Sequence, residues 1–181
     1  MHNTPRAILD TSALISLYEL DLMQYLNLMY VDVLIPDAVE KEFLDNPRIT
    51  EEEKTKRLEY FFRITTEYSS WLQQCKEYED TLIQLYLAMD GMDQGEAETL
   101  AQNQSLDSLF EVIIDERTAR KMARSASMQV HGTLYLIAKL HIQFQVCDYW
   151  EYTRKMKEET TTHVTDKIIE LVFSEVEWEL L

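Results

Sequence analysis

Two aspartates stand where apolar runs stop. Asp10 follows "RAIL" and Asp115 follows "LFEVII", so two buried-strand candidates each end on a carboxylate. Open α/β sheets bind ligands just beyond the C-terminal ends of their parallel strands, and the matched placement puts both residues at one such edge. Asp10 also leads, through Thr11 and Ser12, into a helical pattern, and Asp, Thr and Ser are ordinary N-caps whose oxygens satisfy orphan backbone N–H groups. Alone, the cap is the simpler reading; the second strand-end aspartate favours a site. Glu42 in "VEKEF" and Glu96 in "QGEAE", with Glu98 close behind, add carboxylates on helices that follow strand or turn signals. Carboxylates converging on one crevice repel each other, which raises their pKa values or recruits divalent cations. Oxygen ligands without His or Cys suit Mg²⁺ or Mn²⁺. A pair of such ions about 3.5 to 4 Å apart activates a water and stabilises the leaving oxygen in phosphodiester hydrolysis. The plainer alternative for Glu42, Glu96 and Glu98 is a solvated helix face, and for Ser12 and Thr133 a helix cap. His131, isolated beside a turn, reads as a hydrogen-bonded structural residue rather than a general base.

Downstream of Asp115, Arg117, Arg120, Lys121 and Arg124 recur at i, i+3, i+4 and i+7. On a helix they form one positive stripe along which a phosphate backbone can lie, with ion pairing to the acidic surface as the competing use. Arg63 and the basic residues of "KTKR" are candidates for extending it. Phe61, Tyr68 and Trp71 read as a packing face rather than base-stacking platforms.

The elements that must position these residues alternate. "AILD" is a short buried strand, and "SALISLYELDLMQYLNLMY" is helical with a break near Glu19 to Asp21. "VDVLIP" reads as a second strand and "DAVEKEFL" as a helix with Asp37 near its N-cap. From Asn46 to Ala88 the chain is charged and aromatic in helical rhythm, with "TEEEK" as a helix start, and reads as an inserted helical hairpin. "GMDQGEAETLAQ" turns into a helix, "LFEVIID" is a third strand, "ERTARKMARSA" a helix and "MQVHG" a fourth strand. After Gly132 come three helical segments, "TLYLIAKLHIQFQV", "YWEYTRKMKEE" and "THVTDKIIELVFSEV", the last capped by Thr165 or Asp166. Parallel strands need crossover connections, so this alternation predicts an α/β fold with a parallel sheet flanked by helices.

At 181 residues the chain fits one domain, spanning 1–181, with the helical insertion at about 45–90 and C-terminal helices at about 133–181. Hydrophobic residues make up 46% and charged residues 28%, a globular balance, and only 3 Gly and 3 Pro predict many helices. The start lacks the apolar core of a signal peptide and no apolar run spans a bilayer, so the expectation is a soluble, cytoplasmic protein with no membrane partner. Cys75 and Cys147 have no metal-ligand spacing and read as reduced core residues. The formal charge of −16 opposes nucleic-acid binding unless positive charge is locally concentrated or metal ions intervene. Part of the excess lies in "EYED" and "SEVEWELL", where a solvated face or a basic partner accounts for it.

The ordered set "LDTSALI", "IPDAVEKEF", "MDQGEAETLA", "VIIDERTARKMA" and "VHGTLYLI" resembles the PIN-domain nucleases, most closely their bacterial and archaeal toxin-antitoxin-like subgroup. The closing "HVTDKIIELVFSEV" is similar too, and only the stretch from about Asp45 to Met89 stands outside the resemblance. It implies a three-layer α/β/α PIN-like fold with a central parallel sheet of about four to five strands. It also implies a Mg²⁺- or Mn²⁺-dependent endoribonuclease with Asp10, Glu42, Glu96 and Asp115 as metal ligands. Ser12 matches the hydroxyl residue that steadies the first aspartate. Glu40 neighbours Glu42, Glu98 can replace Glu96, and Glu116 sits where many relatives have a second aspartate. The partners implied are an RNA substrate and a small antitoxin protein covering the acidic crevice; a homodimer is a further expected assembly. The competing reading, motivated by the net charge and the insertion, is a catalytically inactive PIN-like protein-binding module. A DNA-directed nuclease is not separable from an RNA-directed one by these residues.

Overall fold

Short apolar runs become parallel strands, and the longer segments between them coil back as helices. The computed structural model describes residues 5–75, 80–89, 91–160 and 164–180. Residues 1–4, at the start where a signal peptide would lie, and 77–79 of the acidic "EYED" lie outside them. The chain runs β1 (Arg6–Leu9), α1 (Thr11–Glu19), a 3-10 turn (Met23–Leu28), β2 (Asp32–Pro36), α2 (Asp37–Leu44), α3 (Glu51–Glu67), β3 (Leu72–Cys75), α4 (Asp80–Leu87) and α5 (Gln94–Ser105). It continues through β4 (Glu111–Ile113), α6 (Arg117–Ser125), β5 (Val130–His131), α7 (Thr133–Lys139) with a π turn (Leu140–Phe144), α8 (Tyr149–Glu159) and α9 (Asp166–Glu179).

All strand pairs are parallel and the sheet order is β3-β2-β1-β4-β5. Ile8 stands opposite both Leu34 and Val112, so β1 is the central strand. Side chains alternate across a strand, and the core divides accordingly. Ala7, Leu9, Val33, Ile35 and Ile113 pack on one face with α1, α2, α3 and the C-terminal helices. Ile8, Leu34, Val112 and Ile114 pack on the other with α4, α5 and α6. Strands buried on both faces have no polar side to show, which is why "AIL" and "VLI" read as unbroken apolar runs. The result is the expected three-layer α/β/α arrangement.

The helix starts follow capping chemistry. Asp10, Thr50, Asp93, Glu116, Asp148 and Thr165 each accept a backbone N–H one turn into their helices. The break expected after Glu19 occurs at Asp21, which adopts φ +50°. The 45–90 region holds the two helices expected there, α3 and α4, with one addition: between them β3 pairs with β2 and becomes the fifth strand. Among the described residues no helix is long and apolar enough to cross a membrane, and no disulfide joins Cys75 to Cys147.

From β1 the chain passes to β2 on one side, and only later returns to place β4 on the other. The carboxyl ends of β1 and β4 therefore flank the point where strand order reverses, where open sheets of this kind have their crevice.

Candidate functional site

Asp10 and Asp115 occupy that crevice. The backbone N–H of Asp10 donates to Ile113 O at 3.1 Å, one rung beyond the ladder of β1, and the N–H of Ile114 donates to His131 O at 2.9 Å. Asp10 thus directly follows the last residue of β1, and Asp115 stands two residues past the last residue of β4. Ser12 joins them: its Oγ accepts from the Asp115 N–H at 3.2 Å and donates to Asp10 Oδ2 at 2.7 Å. A hydroxyl has one proton to give and lone pairs to receive, so both bonds form together. Asp10 Oδ1 meanwhile accepts from Ala13 N at 2.7 Å, so the residue is both the cap of α1 and a member of the crevice.

Asp10 is 2% exposed, and its carboxyl is pushed well above the usual aspartate range, first by burial and next by the charge of Asp115, with Glu96 adding to the effect. Thr133 clamps Asp115: its N–H donates to Oδ1 and its hydroxyl to Oδ2, each at 2.7 Å. Glu42, half-buried on α2, accepts from Thr11 Oγ1 at 2.5 Å and from Gly95 N at 2.9 Å. Burial raises its carboxyl, with Thr11 offsetting part of the effect and Asp93 and Glu98 adding to it. Glu96 closes the capping box of α5, accepting from Asp93 N at 3.2 Å. Burial, then the charge of Asp93, raise its carboxyl to about 7, and Glu116 and Glu42 contribute. Electrostatically the acids form one chain, Asp115 to Asp10 to Glu96 to Glu42.

The alternatives left open by the sequence separate here. Glu98 Oε2 accepts from Ala38 N at 2.7 Å and its Oε1 from Gln94 at 2.9 Å, so it is spent on the start of α2. Glu40 turns to Gln74 on β3, and Glu116 caps α6 through Ala119 N at 2.8 Å. Thr133, weighed from the sequence as a cap, belongs to the site through Asp115, and Thr11, Asp93 and two glycines belong to it although none was singled out. A Cβ on Gly95 would stand 2.5 Å from Glu42 Oε2, and one on Gly132 would stand 2.8 Å from Asp115 Oδ1 and 2.7 Å from Arg120 Nη1. A usable signal lay in their scarcity: of 3 glycines in the chain, one abuts Glu96 in sequence and another Thr133.

Among the described residues Asp10, Glu42, Glu96 and Asp115 have no Lys or Arg ion-pair partner. Their contacts are neutral donors, which leaves the crevice strongly negative. The donor set is all oxygen and suits a hard divalent cation. Among the same residues, no three His, Cys, Asp or Glu side chains are drawn together tightly enough to grip an ion as they stand.

On α6, Arg117, Lys121 and Arg124 are exposed and Arg120 is half-buried beside Asp115, its Nη1 3.5 Å from Ile114 O. None of the four forms an ion pair among the described residues. The proposed extension of the stripe is not built: Lys54 pairs with Asp45, Lys56 with Glu52, and Arg57 is buried against Glu53, Phe43 O and two aromatic rings. Arg63 lies over Tyr60. Phe61 and Trp71 pack in the core as expected, with Tyr68 stacked on Trp71. His131 stacks on Tyr135, and burial, with Lys139 and Arg124 nearby, lowers it to about 4.

A family model described as a PIN domain matches residues 6–178. No curated protein matches the sequence. A solved domain of a functionally unknown protein from Methanocaldococcus jannaschii is similar in structure, with 14% identity, a TM-score of 0.48 and coverage of 71% of this chain and 90% of that one.

Proposed function

Given that this chain belongs to the PIN-domain family, whose members are generally nucleases, we propose that it is a divalent-cation-dependent endoribonuclease. The observation that carries this reading is the pair Asp10 and Asp115, delivered by neighbouring parallel strands to the switch point, linked through Ser12 and without a cationic partner among the described residues.

Asp10, Asp115, Glu96 and Glu42 would hold Mg²⁺ or Mn²⁺. When bound, the cation supplies positive charge to the scissile phosphate and lowers the pKa of an attacking water. Ser12 keeps the two strand-end carboxylates in register, Thr133 fixes the rotamer of Asp115, and Thr11 with Gly95 N aim Glu42. Arg117, Arg120, Lys121 and Arg124 draw the phosphate backbone toward the crevice, a local exception to the net charge of −16.

Incubation of labelled RNA and DNA pools with Mn²⁺ tests the proposal. RNA cleavage lost in Asp10→Asn and Asp115→Asn supports it; activity unchanged in both removes the assignment, and cleavage of DNA alone corrects the substrate. The net charge of −16 favours one rival, an inactive PIN-like binding module, and a calorimetric titration with Mn²⁺ near neutral pH that gives no saturable heat would support it over the nuclease. A small antitoxin protein is the partner proposed for the crevice, tested by pull-down of the neighbouring gene's product, and light scattering tests the homodimer.

A further inference from the structure

Beside Asp115 lies a cleft of about 300 Å³ whose lining combines cationic and aliphatic side chains. Arg120 and Arg124 of α6 line it together with Leu134 of α7, and with Ile168, Leu171 and Glu175 of α9. Ile168 and Leu171 are 43% and 55% exposed, and both arginines lack ion pairs among the described residues. His131 and Tyr135, stacked with ring centres 3.6 Å apart, add aromatic surface to the same space. An inorganic anion has no use for aliphatic walls, and an apolar ligand has none for two guanidinium groups. A nucleotide uses both, because it carries an anionic phosphate and a flat base with apolar faces.

We propose that this cleft is a nucleoside subsite, which holds one unpaired base next to the phosphate that the acidic crevice receives. Its relation to a cut phosphate rests on the nuclease reading above. Arg120 is the hinge of the arrangement, since it and Asp115 both press on Gly132. A phosphate at Arg120 and Arg124 leaves its base beside Leu134, Ile168 and Leu171, and Glu175 can accept from a base amino group. The volume is at the low end for ligand clefts and suits one nucleoside rather than a stacked run. A base in a duplex is paired and stacked, so the subsite takes an unpaired one.

The test is a methyl-detected NMR titration of the whole protein in EDTA with nucleoside 5′-monophosphates, ribose 5-phosphate and inorganic phosphate. The nucleotides are expected to bind about 10-fold more tightly than ribose 5-phosphate, within the range of single base contacts, and to shift the Ile168 and Leu171 methyls. Leu171→Asp, at an exposed position, is expected to remove the preference, and Arg124→Ala to weaken nucleotide and sugar phosphate alike. Equal affinity for nucleotide and ribose 5-phosphate, or a preference untouched by Leu171→Asp, overturns the subsite; so does binding of an acidic, apolar peptide in the cleft with no binding of nucleotide. Because the titration contains no cation and reads no cleavage, loss of the nuclease reading would appear separately, as RNA left intact by a protein that still prefers nucleotides.

Discussion

Replacing Glu96 by Gln should stabilise the protein in chelator, and more so at pH 8 than at pH 5.5. Glu96 is 6% exposed, and burial with the charge of Asp93 moves its carboxyl from 4.5 to about 7. A raised carboxyl keeps its proton in the folded chain at a pH where the unfolded chain has lost it. Stability therefore falls as pH rises from the unfolded value through the folded one, and levels off above it. With these values the cost is about 1 kcal/mol at pH 5.5 and about 3 kcal/mol at pH 8. Gln removes the ionisation and can still accept from Asp93 N in the capping box. The advantage of Glu96→Gln should thus grow by about 2 kcal/mol between the two pH values, or roughly 4 to 8 °C in melting temperature for a chain of this size. Thermal melts by circular dichroism in EDTA measure it, and both pH values lie above the sequence pI of about 4.6, away from minimum solubility. A difference that does not vary with pH, or a variant less stable at pH 8, would refute the picture of Glu96 as a buried, repelled carboxyl.

Other perturbations reach the same site from different sides. Gly95→Ala puts a methyl 2.5 Å from Glu42 Oε2, and should lower RNA cleavage by about 10-fold or more, at a stability cost of about 1 to 3 kcal/mol by overpacking; urea melts and initial rates measure the two effects. Ser12→Ala cuts the link between Asp10 and Asp115, and should weaken Mn²⁺ binding about 10- to 100-fold, as loss of a ligand's hydrogen-bond support does; calorimetry reads it, and wild-type affinity would contradict the link. Arg117→Ala with Lys121→Ala should flatten the salt dependence of RNA binding by about 0.7 in log slope per lost phosphate contact. An unchanged slope would mean the stripe does not touch the backbone.

How far the sequence discloses this arrangement depends on the range of the interactions involved. β1, β2 and β4 announce themselves because strands buried on both faces must be apolar throughout, and Asp10 and Asp115 stand out because each interrupts such a run. β3 does not: "LQQC" is an edge strand paired only with β2, and just Leu72 is buried, so no apolar run marks it. The positions of Glu42 and Glu96 follow helix phase and are partly legible. Their supports are not, because Thr11 meets Glu42 and Thr133 meets Asp115 only after distant segments pack. The commitment of Glu98 to the start of α2 is equally hidden, since its partner Ala38 lies 60 residues away. The charge of −16 likewise conceals how the excess is distributed, with four crevice carboxylates and four cations of α6 that form no ion pair among the described residues.

The claim on which the account turns is that Asp10 and Asp115 share a cation at the sheet edge. A crystal of the protein grown with Mn²⁺ and measured at a wavelength where manganese scatters anomalously addresses it. The account predicts an anomalous peak within ligand distance of both carboxylates, with Glu96 or Glu42 turned toward it, and no peak in Asp10→Asn. A fully occupied manganese elsewhere with the crevice empty, or a peak that persists unchanged in Asp10→Asn, would contradict it.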